Sequence, residues 1–249
     1  MTMNNKTIDK YLNKHSFKDF NPKAVLFDMD GVLYDSMPNH AKAWKECMKK
    51  FGLTMTEGEA YQYEGMRGVE TIRIIAGRQL NKVVSDEEAA YIYKEKSAIY
   101  SSFDTAPMID GVYELQQSIK QRGWTIGIVT GSGQASLLDR ILHDFAGLVS
   151  PEVMVSAKDV AKGKPCPDPY IKGMAKAGVQ PWETIVIENA PLGVRAAVAA
   201  RCFTIAVNTG PLPDSVIAEE GADLVLPTMK DAIEFLSKTF PDDGENPSY

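Results

Sequence analysis

The most constraining stretch of this 249-residue chain is Ala24-Val25-Leu26-Phe27-Asp28-Met29-Asp30-Gly31-Val32-Leu33-Tyr34. An apolar run of four ends in two carboxylates one residue apart, then a glycine. Short Val/Leu/Phe-rich runs bounded by turn residues form buried strands. Open α/β sheets bind ligands beyond the carboxyl ends of their strands, where Asp28 and Asp30 would sit. Residues two apart on an extended chain point the same way. Two like charges that close cost free energy unless a cation or a shared proton relieves them. The stretch therefore asks for a metal, a proton, or both. The plainer alternative is that Asp28 and Asp30 merely open a turn, which Asp-Gly favours.

Periodicity organises the remainder. Residues 1–21 are polar, with Ile8, Leu12 and Phe17 at loosely helical spacing, and read as a surface helix or arm. Residues 38–103 are helical in pattern: Ala41, Trp44, Cys47, Met48 and Phe51 recur every three or four positions, after Pro38 at a helix start. From Pro107 onward, helices and strands alternate. Helices are expected over residues 112–120, 136–143, 169–177 and 192–201, and strands over 124–130, 153–156, 184–188, 203–207 and 223–226. Such alternation predicts a doubly covered parallel sheet, a Rossmann-like α/β core over residues 22–37 and 104–240. The helical segment 38–103 is then an insertion forming a cap, with hinges at residues 34–37 and 102–107. Residues 241–249 are expected to be a disordered tail.

The formal net charge of −6 offers no basic face for nucleic acid. Cys47, Cys166 and Cys202 lack CxxC spacing, which suggests neither a disulfide framework nor a zinc site. No signal-like or membrane-spanning run is evident, so a soluble cytoplasmic protein is expected. The sequence leaves the oligomeric state open, and a monomer is compatible with it.

Four expected strand ends carry chemistry: Asp28 and Asp30; Thr130 with Gly131, Ser132 and Gly133; the later Lys162-Gly163-Lys164-Pro165; and Glu188-Asn189. In a parallel sheet these ends converge on one edge. Two acids, a hydroxyl beside glycine amides, a lysine and an acid-amide pair suit phosphoryl transfer, where positioning and charge stabilisation dominate. Taken singly, Thr130 reads equally as a helix N-cap and Lys164 as a solvated lysine.

In order and spacing these segments resemble the haloacid dehalogenase superfamily, over about residues 23–228. Its DxDGV motif matches Asp28 to Val32, its Thr/Ser motif Thr130, its lysine motif Lys164, and its acidic motif Glu188-Asn189. The insertion, with DGVLYDS followed by His40 and Trp44, resembles the β-phosphoglucomutase-like branch. The resemblance implies an aspartyl-phosphate mechanism. Asp28 would be the nucleophile and Asp30 the general acid and base. Thr130, Gly131 and Ser132 would hold the phosphoryl group, and Lys164 would neutralise charge. It also implies Mg²⁺ held by Asp28, Asp30, Glu188 and Asn189, with a small phosphorylated compound as substrate.

Two positions depart from the usual pattern. Asn189 stands where most relatives carry a second acid, so the metal site loses a charge. Glu64, just before Gly65 in the cap, stands where the mutases have lysine. One acid far along the chain would thus compensate for the other, if Glu64 reaches the Mg²⁺; otherwise it is a solvated loop acid. Glu64 with Asn189-Ala190-Pro191 resembles a branch that hydrolyses inorganic pyrophosphate, which makes pyrophosphate the favoured substrate. The alternatives are a β-phosphoglucomutase or sugar-phosphate phosphatase, with Arg67 holding a distal phosphate, and a non-catalytic binding protein on the same fold. His40 is placed to hydrogen-bond Asp30 or to face solvent. Trp44 reads as cap core, and His15 and His143 as surface residues.

Overall fold

In a computed structural model that describes residues 3–241, the sheet is built on the predicted first strand. Strand β1 (Ala24–Phe27) has every residue buried. It lies between β2 (Thr125–Val129) and β4 (Thr184–Glu188) in a six-stranded sheet of order β3-β2-β1-β4-β5-β6. The outer strands are β3 (Met154–Val155), β5 (Phe203–Val207) and β6 (Leu224–Leu226), and every pairing is parallel.

Alternation along the strands splits the core in two. Val25, Phe27, Ile185 and Ile187 join the apolar cluster on one face, and Leu26 and Val186 join the cluster on the other. This is the period of two that a doubly covered strand requires. The first face is covered by α1 (Met3–His15), α6 (Val112–Gln121), α7 (Ala135–Asp144) and α11 (Met229–Thr239). Helices α8 (Asp168–Ala177) and α9 (Pro191–Ala199) cover the second. A short α10 (Asp214–Ala218) flanks β6.

Between β1 and α6 stand α2 (Met37–Lys50), α3 (Glu57–Gln62), α4 (Gly68–Leu80) and α5 (Asp86–Ser101). They enclose an apolar cluster of their own, centred on Trp44, Met48, Ile72, Ile75 and Ile92. The two connections to the core run side by side: Tyr34 pairs with Met108, and Asp35 N–H donates to Pro107 O at 2.9 Å. These are the segments expected to hinge.

Two features depart from the expectations. The N-terminal segment is a helix, as one of the two expectations had it, but it is anchored into the core by Tyr11, fully buried, whose hydroxyl lies 3.0 Å from Pro181 O and 2.9 Å from Arg201 O. His15, read as a surface residue, is half-buried beside it and stacks on Phe17. Helix α11 was not anticipated, though Thr228 caps it and Ala232, Phe235 and Leu236 supply a buried stripe. Of the expected disordered tail, residues 242–249 lie outside the described residues. No described helix is long and apolar enough to cross a membrane.

Candidate active site

The site forms where the sheet order reverses, beyond the carboxyl ends of β1 and β4. Asp28 follows β1 directly, and its backbone N–H continues the ladder to Ile187 O at 3.0 Å. That register sets Asp28 level with Glu188, the last residue of β4. Thr130, directly after β2, is held by its N–H to Val155 O at 2.9 Å.

Lys164 arrives from the segment before α8 and joins these ends. Its Nζ donates to Asp28 Oδ1 at 2.5 Å and to Glu188 Oε1 at 2.6 Å, with 1 % of its side chain exposed. Burial opposes its charge, but the two carboxylates hold the ammonium above its usual range. Burial pushes the Asp28 carboxyl up to about 7 against the pull of Lys164, with Glu188 and Asp30 adding to the rise. Segments far apart in the sequence thus meet beside the buried Asp28 carboxylate.

The loop from Asp28 to Tyr34 folds back on itself, with Leu33 N–H donating to Met29 O and Gly31 N–H to Tyr34 O, both at 2.8 Å. Gly31 is at φ +73°, and a Cβ there would stand 2.0 Å from Asn189 Nδ2. Glycine is required on both counts, since only it leaves room for Asn189 to reach the site.

Asp30 is held on the cap side. Ser36 Oγ donates to its Oδ1 at 2.6 Å, and His40 Nε2 lies 3.1 Å from the same oxygen. Lys96 Nζ stands 2.5 Å from His40 Nδ1. An ammonium only donates, so Nδ1 accepts and the His40 proton sits on Nε2, facing Asp30. Burial, then Lys96, hold His40 below its usual pKa and therefore neutral. Burial alone would raise the Asp30 carboxyl; the bonds from His40 and Ser36 and the Lys96 charge behind the ring outweigh it and hold it below its usual range. Burial lowers the Lys96 ammonium itself to about 8. His40 therefore does bond Asp30, while Lys96 escaped the sequence reading. Its signal was present: it falls on the inward stripe of α5 with Ala89, Ile92 and Ile99, where a lysine is out of place. Replacing Lys96 by methionine is expected to cut kcat roughly ten- to hundredfold, part of what a positioned acid–base group supplies. Steady-state kinetics on the folded variant checks this; an unchanged kcat would remove Lys96 from the machinery.

The cap sits closed over the core. Gly65, at φ +81°, brings its carbonyl to 2.8 Å from where a Cβ on Gly131 would stand. Glu64 is buried, and Asn189 Nδ2 donates to its Oε1 at 3.0 Å. The two departures from the family pattern, 125 residues apart, are therefore in contact. Burial, and the facing Asp28, Asp30 and Glu188, hold the Glu64 carboxyl well above its usual range. Between cap and core remains a cavity of about 60 Å³, roofed by Trp44, Tyr63, Met66 and Tyr93 and floored by Asp28 and Asp30. Gly131 and Ser132 line the same cavity, whereas Thr130 and Lys164 line a smaller one adjoining it. The Thr130 hydroxyl accepts from Ser132 N–H at 3.0 Å, which leaves its own proton free to donate.

Arg67, offered under the sugar-phosphate alternative as a holder of a distal phosphate, lies beside the main cavity and is not among its lining residues. Its Nη1 donates to Ala161 O at 2.8 Å and its stem lies against Gly163, so it fastens the cap to the core outside the main cavity. The backbone at Gly163 leaves space only for that stem, and the guanidinium is drawn to a free carbonyl. Trp44 belongs to the cap core, as expected, but also roofs the cavity. His143 is exposed.

The donor set fits a hard divalent cation. Four buried or nearly buried carboxylates (Asp28, Asp30, Glu64 and Glu188) face two lysines, Lys96 and Lys164, which leaves negative charge unmatched. Asn189 Oδ1 is buried with no hydrogen-bond partner. An orphaned amide oxygen among carboxylates is a ligand in waiting for an oxygen-seeking ion. Among the described residues no group of three or more His, Cys, Asp or Glu is arranged to hold a metal. An ion such as Mg²⁺ needs only one or two carboxylates and fills its shell with water and substrate phosphate.

The sequence profile of the family described as haloacid dehalogenase-like hydrolase matches residues 25–207. Hexitol phosphatase A of Escherichia coli is 32 % identical over 84 % of this chain and 92 % of its own length. Beta-phosphoglucomutase of Bacillus subtilis is 26 % identical over 82 % of this chain and 92 % of its own. A solved Bacteroides vulgatus structure, provisionally described as a beta-phosphoglucomutase, superposes with a TM-score of 0.92 at 45 % identity, covering 96 % of this chain and 98 % of that one.

Proposed function

Because this chain belongs to the haloacid dehalogenase-like hydrolase family, we propose that it is a Mg²⁺-dependent phosphohydrolase that works through an aspartyl-phosphate on Asp28. The observation that carries the reading is the buried Asp28–Lys164–Glu188 bridge, with Asp28 and Asp30 both lining the cavity between cap and core. Asp28 attacks phosphorus through the oxygen that Lys164 does not hold. Asp30, once protonated, gives its proton to the leaving oxygen; as the carboxylate its neighbours favour, it then takes one from the water that attacks the aspartyl-phosphate. Thr130 and the amides of the following loop donate to the phosphoryl oxygens. Lys164 offsets the charge that gathers on them. Asp28, the Asp30 carbonyl, Asn189 and Glu64 would hold Mg²⁺, which when bound supplies Lewis-acid charge to a phosphoryl oxygen.

The substrate we favour is inorganic pyrophosphate. The cavity between cap and core is narrow, with room for about 60 Å³. Glu64 enters it as an acid, unfavourable next to a bare phosphate and favourable with a cation between them. A sugar or polyol phosphate is the second reading, and the names of the relatives favour it: hexitol phosphatase A and a fructose-1-phosphate phosphatase, both of E. coli. A kinetic panel of pyrophosphate, hexitol phosphate and β-glucose 1-phosphate with Mg²⁺ separates the two. Pyrophosphate is expected to lead in kcat/KM by about tenfold or more, the discrimination a mismatched pocket group imposes; a lead by either carbohydrate phosphate would replace the favoured reading by the second. Glu64→Gln is expected to weaken Mg²⁺ binding about tenfold by titration calorimetry. Unchanged binding would return Glu64 to a purely structural role.

A further inference from the structure

Glu188 faces the site with no exposed side chain, and each of its oxygens already accepts twice. Oε1 takes Lys164 Nζ and Tyr170 Oη, both at 2.6 Å. Oε2 takes the backbone N–H of Asn189 at 3.0 Å and of Ala190 at 3.2 Å. A carboxylate offers about four lone-pair directions, so this one has none left for a cation. The slot that holds it is shaped for it: a Cβ on Gly193, in α9, would lie 1.8 Å from Oε1.

Tyr170 is the third residue of α8 and is fully buried. Its ring packs in the apolar cluster of Leu26, Val129, Val155 and Met174, and Lys164 Nζ stands 5.2 Å from its centroid. Phenylalanine would fill that space equally well, so packing gives no reason for the hydroxyl. Burying it without a partner would cost free energy; here it donates to a charged oxygen, the strong case.

We infer that Tyr170 is a positioning residue for Lys164 and Glu188. Its hydroxyl completes the donor set that keeps Glu188 turned toward Lys164 and away from the cation, so that Asn189 alone supplies the ligand from the end of β4. The inference rests on the metal-dependent reading above and departs from it at Glu188, which becomes a partner of the lysine in place of a ligand. Lys164 is shared between Glu188 and the nucleophile at nearly equal distances. By taking up part of the Glu188 charge, the tyrosine keeps the ammonium from being drawn off Asp28.

The test uses the full chain, three single variants and the Tyr170→Phe/Glu188→Gln double variant, with the fold checked by circular dichroism. Tyr170→Phe is expected to lower kcat about tenfold with KM within about twofold, and to leave the Mg²⁺ Kd, measured by calorimetry without substrate, within about threefold. Glu188→Gln is expected to leave Mg²⁺ binding similarly intact, while Asn189→Ala weakens it tenfold or more. The Tyr170→Phe and Glu188→Gln losses in kcat are expected to combine to less than their product, because both act through Lys164. A kcat for Tyr170→Phe within twofold of wild type, or multiplicative losses in the double variant, would overturn the positioning role. So would Mg²⁺ binding weakened as much by Glu188→Gln as by Asn189→Ala, because Glu188 would then be a ligand. If Asn189→Ala leaves binding intact, the metal assignment fails and takes this inference with it.

Discussion

Asp28→Asn is expected to abolish turnover, by roughly 10⁴-fold or more, as loss of a nucleophile does in other covalent enzymes. The exchange is nearly isosteric, and the asparagine Oδ1 still accepts from Lys164, which retains Glu188 as a second partner. The fold should therefore persist, and the loss is chemical: an amide oxygen does not displace a leaving group from phosphorus. Phosphate release by the folded variant checks this. Residual activity within tenfold of wild type would place the nucleophile elsewhere.

Lys164→Met is expected to damage both stability and rate. The side chain keeps its length and loses its charge, which strands Asp28 and Glu188 in a site where neither is more than a few per cent exposed. Removing one partner of a buried ion pair costs about 3–5 kcal/mol, because the other charge stays buried. For a chain of this size that is a fall in Tm of roughly 10 °C. The rate should fall roughly 10²–10³-fold, as it does when a charge-stabilising group is lost at a phosphoryl or acyl centre. Added Mg²⁺ should restore part of the stability, since a bound cation takes over as counter-charge and stabilises by mass action. Thermal melts with and without Mg²⁺ read this directly; a loss under about 1 kcal/mol would mean that the bridge contributes little to the fold.

What could be read from the sequence divides along physical lines. Strands buried on both faces announce themselves as apolar runs, and β1, β4 and β5 fall where Ala24–Phe27, Thr184–Glu188 and Phe203–Val207 placed them. The residues at their carboxyl ends were legible because a parallel sheet gathers those ends whatever the loops do. Contacts made by the cap were legible only where a residue contradicted its surroundings. Glu64 and Asn189 each stood out, and the structure joins them. Arg67 stood out too, but a long, flexible side chain can reach either way, and the nearby Ala161 carbonyl holds it outside the cavity. Lys96 and Tyr170 were hidden by helical periodicity. Each sits at a position where a core residue belongs, and their polar ends become informative only once His40 and Glu188 are seen beside them.

All of this depends on a phosphoryl group passing through a covalent bond to Asp28. Rapid quenching of the wild-type enzyme with Mg²⁺ and radiolabelled substrate, followed by peptide mapping, tests that step. The account predicts a label that appears and decays within a turnover, stable to acid and labile to hydroxylamine, on the peptide that carries Asp28. Full turnover with no labelled protein at any quench time, or label on a peptide lacking Asp28, would contradict it.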